Sequence, residues 1–176
     1  PLVTYIQEEI SLPIVTIGLL GIAAPLAFAI ATTMANVPTR KIGVEKTLIA
    51  TSLLIIGGHV LRALSWDSTA LFVGSMMCLL GMGIGNILMP VIVRKYFPNR
   101  VGLVSSFYIS LAALSASAGS FLAVPFAELG GWRFSLGQWA LMAALTLLPL
   151  IALRKNSAPE KPPPGVIKQK AIWRSP

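Results

Sequence analysis

The chain has 176 residues, of which 55% are hydrophobic and only 11% charged, and it carries a formal net charge of +8. A soluble domain would carry about twice that charged fraction, and a nucleic-acid binder would gather its basic residues into one patch or stripe rather than scatter them between apolar runs. With a mean hydropathy of +0.78, the composition excludes a soluble core and nucleic-acid binding, and points to a bilayer whose headgroups meet the positive charge.

In chain order, residues 1–14 read as the end of a preceding helix and its outer loop, with Glu8 and Glu9 in water. Five apolar stretches then predict a transmembrane bundle over residues 15–153, with spans at about 15–35, 47–64, 71–93, 102–127 and 134–153. Each is near the ~20 residues that a helix needs to cross about 30 Å of hydrocarbon. Residues 154–176 follow as a cytoplasmic linker, because Pro162, Pro163, Pro164 and Gly165 cannot continue a helix. The predicted fold class is all-α, a polytopic membrane protein with five transmembrane helices.

Twelve of the fourteen Lys and Arg lie in three segments that must share a side. These are Arg40, Lys41 and Lys46; Arg94, Lys95 and Arg100; and Arg154, Lys155, Lys161, Lys168, Lys170 and Arg174. Only Arg62 and Arg133 lie opposite. The positive-inside rule puts the three basic segments and the C-terminal tail in the cytoplasm, and the loops near Trp66 and Trp132 outside. An odd span count, a first residue Pro1 in place of Met and a linker-like tail lead us to expect a further span upstream and further protein downstream.

Pro25, the pair Gly57 and Gly58, Pro90 and Pro149 interrupt the spans. Membrane helices tolerate such breaks, because neighbouring helices and polar side chains satisfy the freed backbone groups. In the third span Gly74, Cys78, Gly81 and Gly85 follow one another by four, three and four residues, which keeps them in one narrow stripe. Such a stripe predicts close approach of another helix. The fourth span carries two small stripes, one of Ser106, Ser110, Ala113, Ser117 and Ser120 and one of Ser105, Ala112, Ala116 and Gly119; Phe107, Leu111, Leu114 and Phe121 form the side assigned to lipid. A helix with two small faces packs against two partners, or against one partner and a water-filled cavity.

Few polar groups lie at membrane depth. Asn86 projects roughly 120° from Gly74, the first residue of the glycine stripe, and its amide needs a partner from either a neighbouring helix or a solute. His59 and Arg62 lie one turn apart near the outer end of the second span, where Arg62 can snorkel to headgroups, pair with Asp67 or border a vestibule. The residues with which a solute would be met are therefore Asn86, Ser110, Ser117, His59 and Arg62.

All six carboxylates, Glu8, Glu9, Glu45, Asp67, Glu128 and Glu160, lie in loops or at span ends, which leaves no acidic proton relay at the midplane. The sequence has no Walker loop, no His-Glu-x-x-His, no cysteine pair and no Gly-x-Ser-x-Gly elbow. Catalytic residues, a metal site and a cofactor are accordingly not expected, and the lone Cys78 reads as a small packing residue.

Two stretches carry a family resemblance. The loop Arg40-Lys41-Ile42-Gly43-Val44-Glu45-Lys46 resembles the loop between helices two and three of the major facilitator superfamily. Gly43 and the basic character match; Arg40 stands where that pattern has Asp, and Asn36 where it has its first Gly. Gly81-Met-Gly-Ile-Gly85-Asn86-Ile-Leu-Met-Pro90, then Arg94 to Gly102, Val124 to Ala127 and Gly131 to Leu136, are similar to the cyanate and 2-nitroimidazole transporter branch of that superfamily.

The resemblance implies that the spans are helices two to six of a twelve-helix transporter in a bacterial plasma membrane. Its partners would be helix one and the C-terminal half. The implied activity is secondary transport by alternating access of a cyanate-like anion or a small polar aromatic, with Gly43, Gly74, Gly81, Gly85 and Pro90 serving packing and conformational change. Two other classes remain: a substrate-capture subunit of an energy-coupling importer, which has about this size and span number, and an intramembrane hydrolase using Ser117 or Ser120.

Overall fold

The computed structural model describes residues 2–156, with the side chains of residues 153–156 outside the description. The expected linker, with its basic residues from Arg154 onward, therefore lies outside the described side chains. Every described element is a helix or a turn. A short helix α1 (Val3–Gln7) precedes α2 (Ile14–Met34), α3 (Asn36–Ile42), α4 (Val44–Ala63) and α5 (Ser68–Tyr96); a 3-10 turn (Pro98–Arg100) leads into α6 (Val101–Leu145), and α7 (Leu147–Asn156) ends the described chain. The helices α2, α4, α5 and the run from 98 to 152 are long and apolar enough to cross a membrane.

The last of these is two membrane-length arms rather than one. Gly131 has φ 79° and ψ 165° inside α6, a conformation open essentially to glycine alone. The chain folds back there: Ser135 donates to the Ala123 carbonyl at 2.8 Å, and Phe126 meets Phe134 edge to face. A Cβ on Gly119 would touch the Trp139 ring at 3.7 Å. The pairs 123 with 135 and 119 with 139 define an antiparallel helical hairpin, which we describe as a first arm (101–130) and a second arm that runs from 132 through α7 to 152. The expected outer loop at Trp132 is thus only a glycine turn, and Trp132 is buried at 2% exposure.

Gly43, at φ 86° and ψ 164°, takes the same conformation between α3 and α4. It lets the chain reverse within one residue, and its carbonyl accepts from the Thr47 hydroxyl at 2.7 Å. Pro25 and Pro90 lie inside continuous helices and end neither. Just after the C-terminal end of α4, Asp67 caps α5 by accepting the Ala70 N–H at 2.6 Å, which satisfies one orphan donor of the first turn.

Helix α5 is the centre of the bundle, with α4 against one side and α2 against the other. A Cβ on Gly58 would lie 2.7 Å from the Gly74 carbonyl, and one on Gly81 would lie 3.0 Å from the Thr51 carbonyl. Backbone therefore meets backbone along the α4–α5 seam. On the opposite side Ala23, Ala27, Ala31 and Ala35 are each at most 2% exposed, and a Cβ on Gly83 would lie 2.8 Å from Ala31 Cβ. This alanine stripe at every fourth residue is a second small-residue seam, legible in the sequence by its spacing.

Two apolar clusters close the ends. Ile6, Ile10, Leu12, Leu71, Trp132 and Leu136 form one; Val44, Leu48, Leu88 and Ile92, with Leu150 against them, form the other. At the first end Arg133 pairs with Glu9, donates to the Ser65 carbonyl at 3.1 Å and stacks on Trp132 at 4.2 Å. At the second end Lys95 pairs with Glu45 at 2.7 Å and Tyr96 donates to the same carboxylate at 2.9 Å, fastening α4 to α5. Phe107, Leu111, Leu114 and Phe121 are exposed on the first arm, the last at 79%, as a lipid-facing surface requires.

Candidate functional site

A cavity of about 1150 Å³ lies among α1, α2, α4, α5 and both arms of the hairpin. Its walls follow from the packing above. Because α5 is drawn against α2 and α4 by small residues, the first arm is left beside this group instead of within it, and it is fastened chiefly at its C-terminal half to its own second arm. The gap between them is walled by Ala112, Ser115, Ala116, Gly119, Ser120 and Ala123 on the first arm, and by Trp139, Met142 and Ala143 on the second.

Most hydroxyls facing the cavity are satisfied within their own helix. Ser75 donates to the Leu71 carbonyl at 2.7 Å and Ser115 to the Leu111 carbonyl at 2.8 Å. Cys78 meets the Ile55 carbonyl at 3.5 Å. Three other groups on the wall behave differently. Asn86 is exposed to the cavity and makes no hydrogen bond among the described residues. His59 is 6% exposed, with Nδ1 buried and unpartnered, and Arg62, one turn on, has a buried and unpartnered Nε.

The five solute-contact residues expected from sequence therefore separate. Asn86, His59 and Arg62 line the cavity; Ser110 and Ser117 do not. Ser110 and Ser117 are exposed on the first arm. Of its two small stripes the one of Ala112, Ala116 and Gly119 faces the cavity, joined by Ser115 and by Ser120 from the other. Ser115 and Trp139 were not singled out by the sequence. The signal for Trp139 was its place opposite Gly119, which exists only once the hairpin has folded at Gly131.

The glycine stripe also needs correction at one member. A Cβ on Gly74 would meet Arg62 Cγ at 2.8 Å and the Gly58 carbonyl at 2.9 Å, and one on Gly81 would meet Ile55 Cγ1 at 2.6 Å. Around Gly85 nothing lies within 4 Å, and it lines the cavity. Crossing helices stay in close contact for only a few turns before they diverge, so a stripe of four positions is longer than the contact it makes. Pro90 is exposed, four residues beyond Asn86. Arg62 does not pair with Asp67, whose carboxylate is engaged by the α5 cap.

Comparison with known proteins gives a consistent result. The family described as Major Facilitator Superfamily matches residues 1–176. The chain is 32% identical to the 2-nitroimidazole transporter of Escherichia coli (strain K12), over 100% of this chain and 45% of that protein. It is 28% identical to uncharacterized transporter YycB of Bacillus subtilis (strain 168), over 84% of this chain and 37% of that protein. Sugar transport protein MST8 of Oryza sativa subsp. japonica is 28% identical, over 68% of this chain and 24% of that protein. The chain spans about half the length, or less, of these relatives.

Proposed function

We propose, from the premise that this chain belongs to the Major Facilitator Superfamily, that it forms part of a secondary active transporter whose solute path includes the cavity between α5 and the hairpin. Members of the family are multi-pass membrane transport proteins, and the helices α2, α4, α5 and the two arms supply the membrane-crossing segments. The solute is small: a cyanate-like anion, or a polar aromatic such as the compound for which the Escherichia coli relative is named. Transport proceeds by alternating access, with the closely packed α2, α5 and α4 moving as one rigid body. The basic ends of α3 and α5 face the cytoplasm of a bacterial cell, and the end carrying Arg62 and Arg133 faces out.

The observation that carries this reading is Asn86. A carboxamide at membrane depth with no partner among the described residues is costly in hydrocarbon, yet it is at no disadvantage where it borders a wet, solute-filled path. Its neighbour Gly85 leaves the wall open beside it. The test uses the protein encoded by the complete reading frame, reconstituted in liposomes and assayed for uptake of labelled 2-nitroimidazole and cyanate. Asn86→Ala lowers uptake several-fold and leaves the melting temperature within about a degree, because no buried partner is orphaned. Unchanged uptake in a stable variant overturns the path; a melting temperature lowered by several degrees makes Asn86 a packing residue instead.

A further inference from the structure

The two arginines at the outer end are treated differently by the fold. The charge of Arg133 is spoken for: Glu9 pairs with it, the Ser65 carbonyl accepts from it at 3.1 Å, and the face of Trp132 lies 4.2 Å away. Arg62 forms no ion pair among the described residues, and its Nε is buried without a partner. Its methylene stem is pinned against Gly74, where a Cβ would come within 2.8 Å of Arg62 Cγ, so the side chain is placed by packing rather than by a counter-charge.

Among the described residues the surroundings supply no anion. None of the residues lining the cavity is acidic, and Asp67, five residues from Arg62, is held by the Ala70 N–H at 2.6 Å. One turn before Arg62, His59 is 94% buried by its 6% exposure and presents the unpartnered Nδ1. A fixed cation with a buried unsatisfied donor, beside a second unsatisfied nitrogen, in a cavity without carboxylates is unfavourable until an anion enters. A guanidinium is planar, and it matches a planar oxyanion through two parallel N–H donors. The remaining walls, Leu79, Met82, Trp139 and Phe28, are apolar or aromatic and suit the body of an organic solute.

We infer that Arg62 and His59 form an anion-recognition site in the cavity, which binds the head group of a small organic monoanion, a carboxylate or similar planar oxyanion, whose apolar body lies along Trp139 and Met82. The inference rests on the proposed solute path and selects the anion over the neutral aromatic. In it Arg62 is a binding residue and Gly74 positions it.

The experiment is equilibrium binding to the purified protein of the complete reading frame, in detergent at fixed ionic strength, with benzoate and acetate as probes and benzamide as the neutral isostere of benzoate. All three are followed by thermal shift and titration calorimetry. Benzoate is expected to raise the melting temperature by a few degrees at saturation, acetate to compete with it, and benzamide to bind at least tenfold more weakly. Arg62→Gln weakens benzoate at least tenfold, Arg62→Lys less so, and His59→Gln several-fold. Benzamide binding as tightly as benzoate overturns the site, as does unchanged benzoate affinity in Arg62→Gln, or no binding of either anion. Should Arg62→Gln fail to fold, the benzoate and benzamide comparison on the unaltered protein decides. Binding in detergent needs no transport, so benzoate bound with no uptake of benzoate, 2-nitroimidazole or cyanate into liposomes would sink the transport reading alone, while uptake of 2-nitroimidazole without benzoate binding would sink the anion site alone.

Discussion

The α4–α5 seam and the first arm of α6 are both written in small residues at helical spacing, yet one is closed and the other open. In the seam, Gly58, Gly74 and Gly81 bring carbonyls within 3.0 Å of where a side chain would begin. On the first arm, Ala112, Ala116 and Gly119 face the cavity, and the nearest atom to a Cβ on Gly119 is the Trp139 ring at 3.7 Å. The difference lies in what holds each helix. Helix α5 is clasped from two sides, by α4 and by the alanine stripe of α2, whereas the first arm is fixed by turns at its ends, Pro98–Arg100 and Gly131, and can stand away between them. Small side chains remove the obstacle to close approach without dictating it.

The sharpest way to break this comparison is to fill each face. Gly74→Leu forces four carbons into a contact already tighter than ordinary packing, against backbone of Gly58 that cannot yield. The expected cost is about 3 kcal/mol or more, seen as loss of monodisperse protein on size-exclusion chromatography. Normal yield and melting temperature would show that the seam is looser than its glycines indicate.

Next in size is Gly131→Ala, which tests the hinge that separates the arms. A side chain at φ 79° and ψ 165° is strained by about 1–3 kcal/mol, so the melting temperature falls by several degrees while the seam stays intact. An unaltered melting temperature would mean that the hairpin does not depend on this turn.

Gly85→Leu should separate packing from path. Nothing lies within 4 Å of its Cβ position, so folded yield is expected to stay within about a third of the unaltered protein. Uptake should fall, since the added side chain enters the cavity beside Asn86. Destabilisation comparable to Gly74→Leu would return Gly85 to the seam.

The smallest effect is expected at Phe121→Leu. With Phe121 79% exposed on the side that the sequence assigns to lipid, neither melting temperature nor uptake should move beyond about 0.5 kcal/mol in equivalent terms. A pronounced loss in either would place another surface against the first arm there.

How much of this was legible beforehand differs from residue to residue. Hydropathy located the apolar stretches, because a helix in lipid must be apolar on nearly every face. The segments around 15–35, 47–64 and 71–93 have counterparts in α2, α4 and α5, and the break between the fourth and fifth stretches falls at Gly131. The resemblance in Gly81 to Pro90 led to the family that the full-length match shows. Gly74 and Gly81 were placed in a tight contact from spacing alone, and Asn86 was singled out by its rarity as a deep carboxamide.

The sequence by itself determined the class of protein, its apolar segments and its stock of polar groups at depth, because bilayer thickness and desolvation act on each segment separately. Tertiary structure decided which small residues pack and which line space. It put Gly85 on the wall and left Ser110 and Ser117 off it, and it brought Ser115 and Trp139 onto it from opposite arms. It also gave Arg133 a counter-charge and Arg62 none among the described residues. These outcomes depend on distances between segments far apart in the chain, on where two helices diverge and on which carboxylate reaches which arginine, and periodicity within one helix carries no information about them.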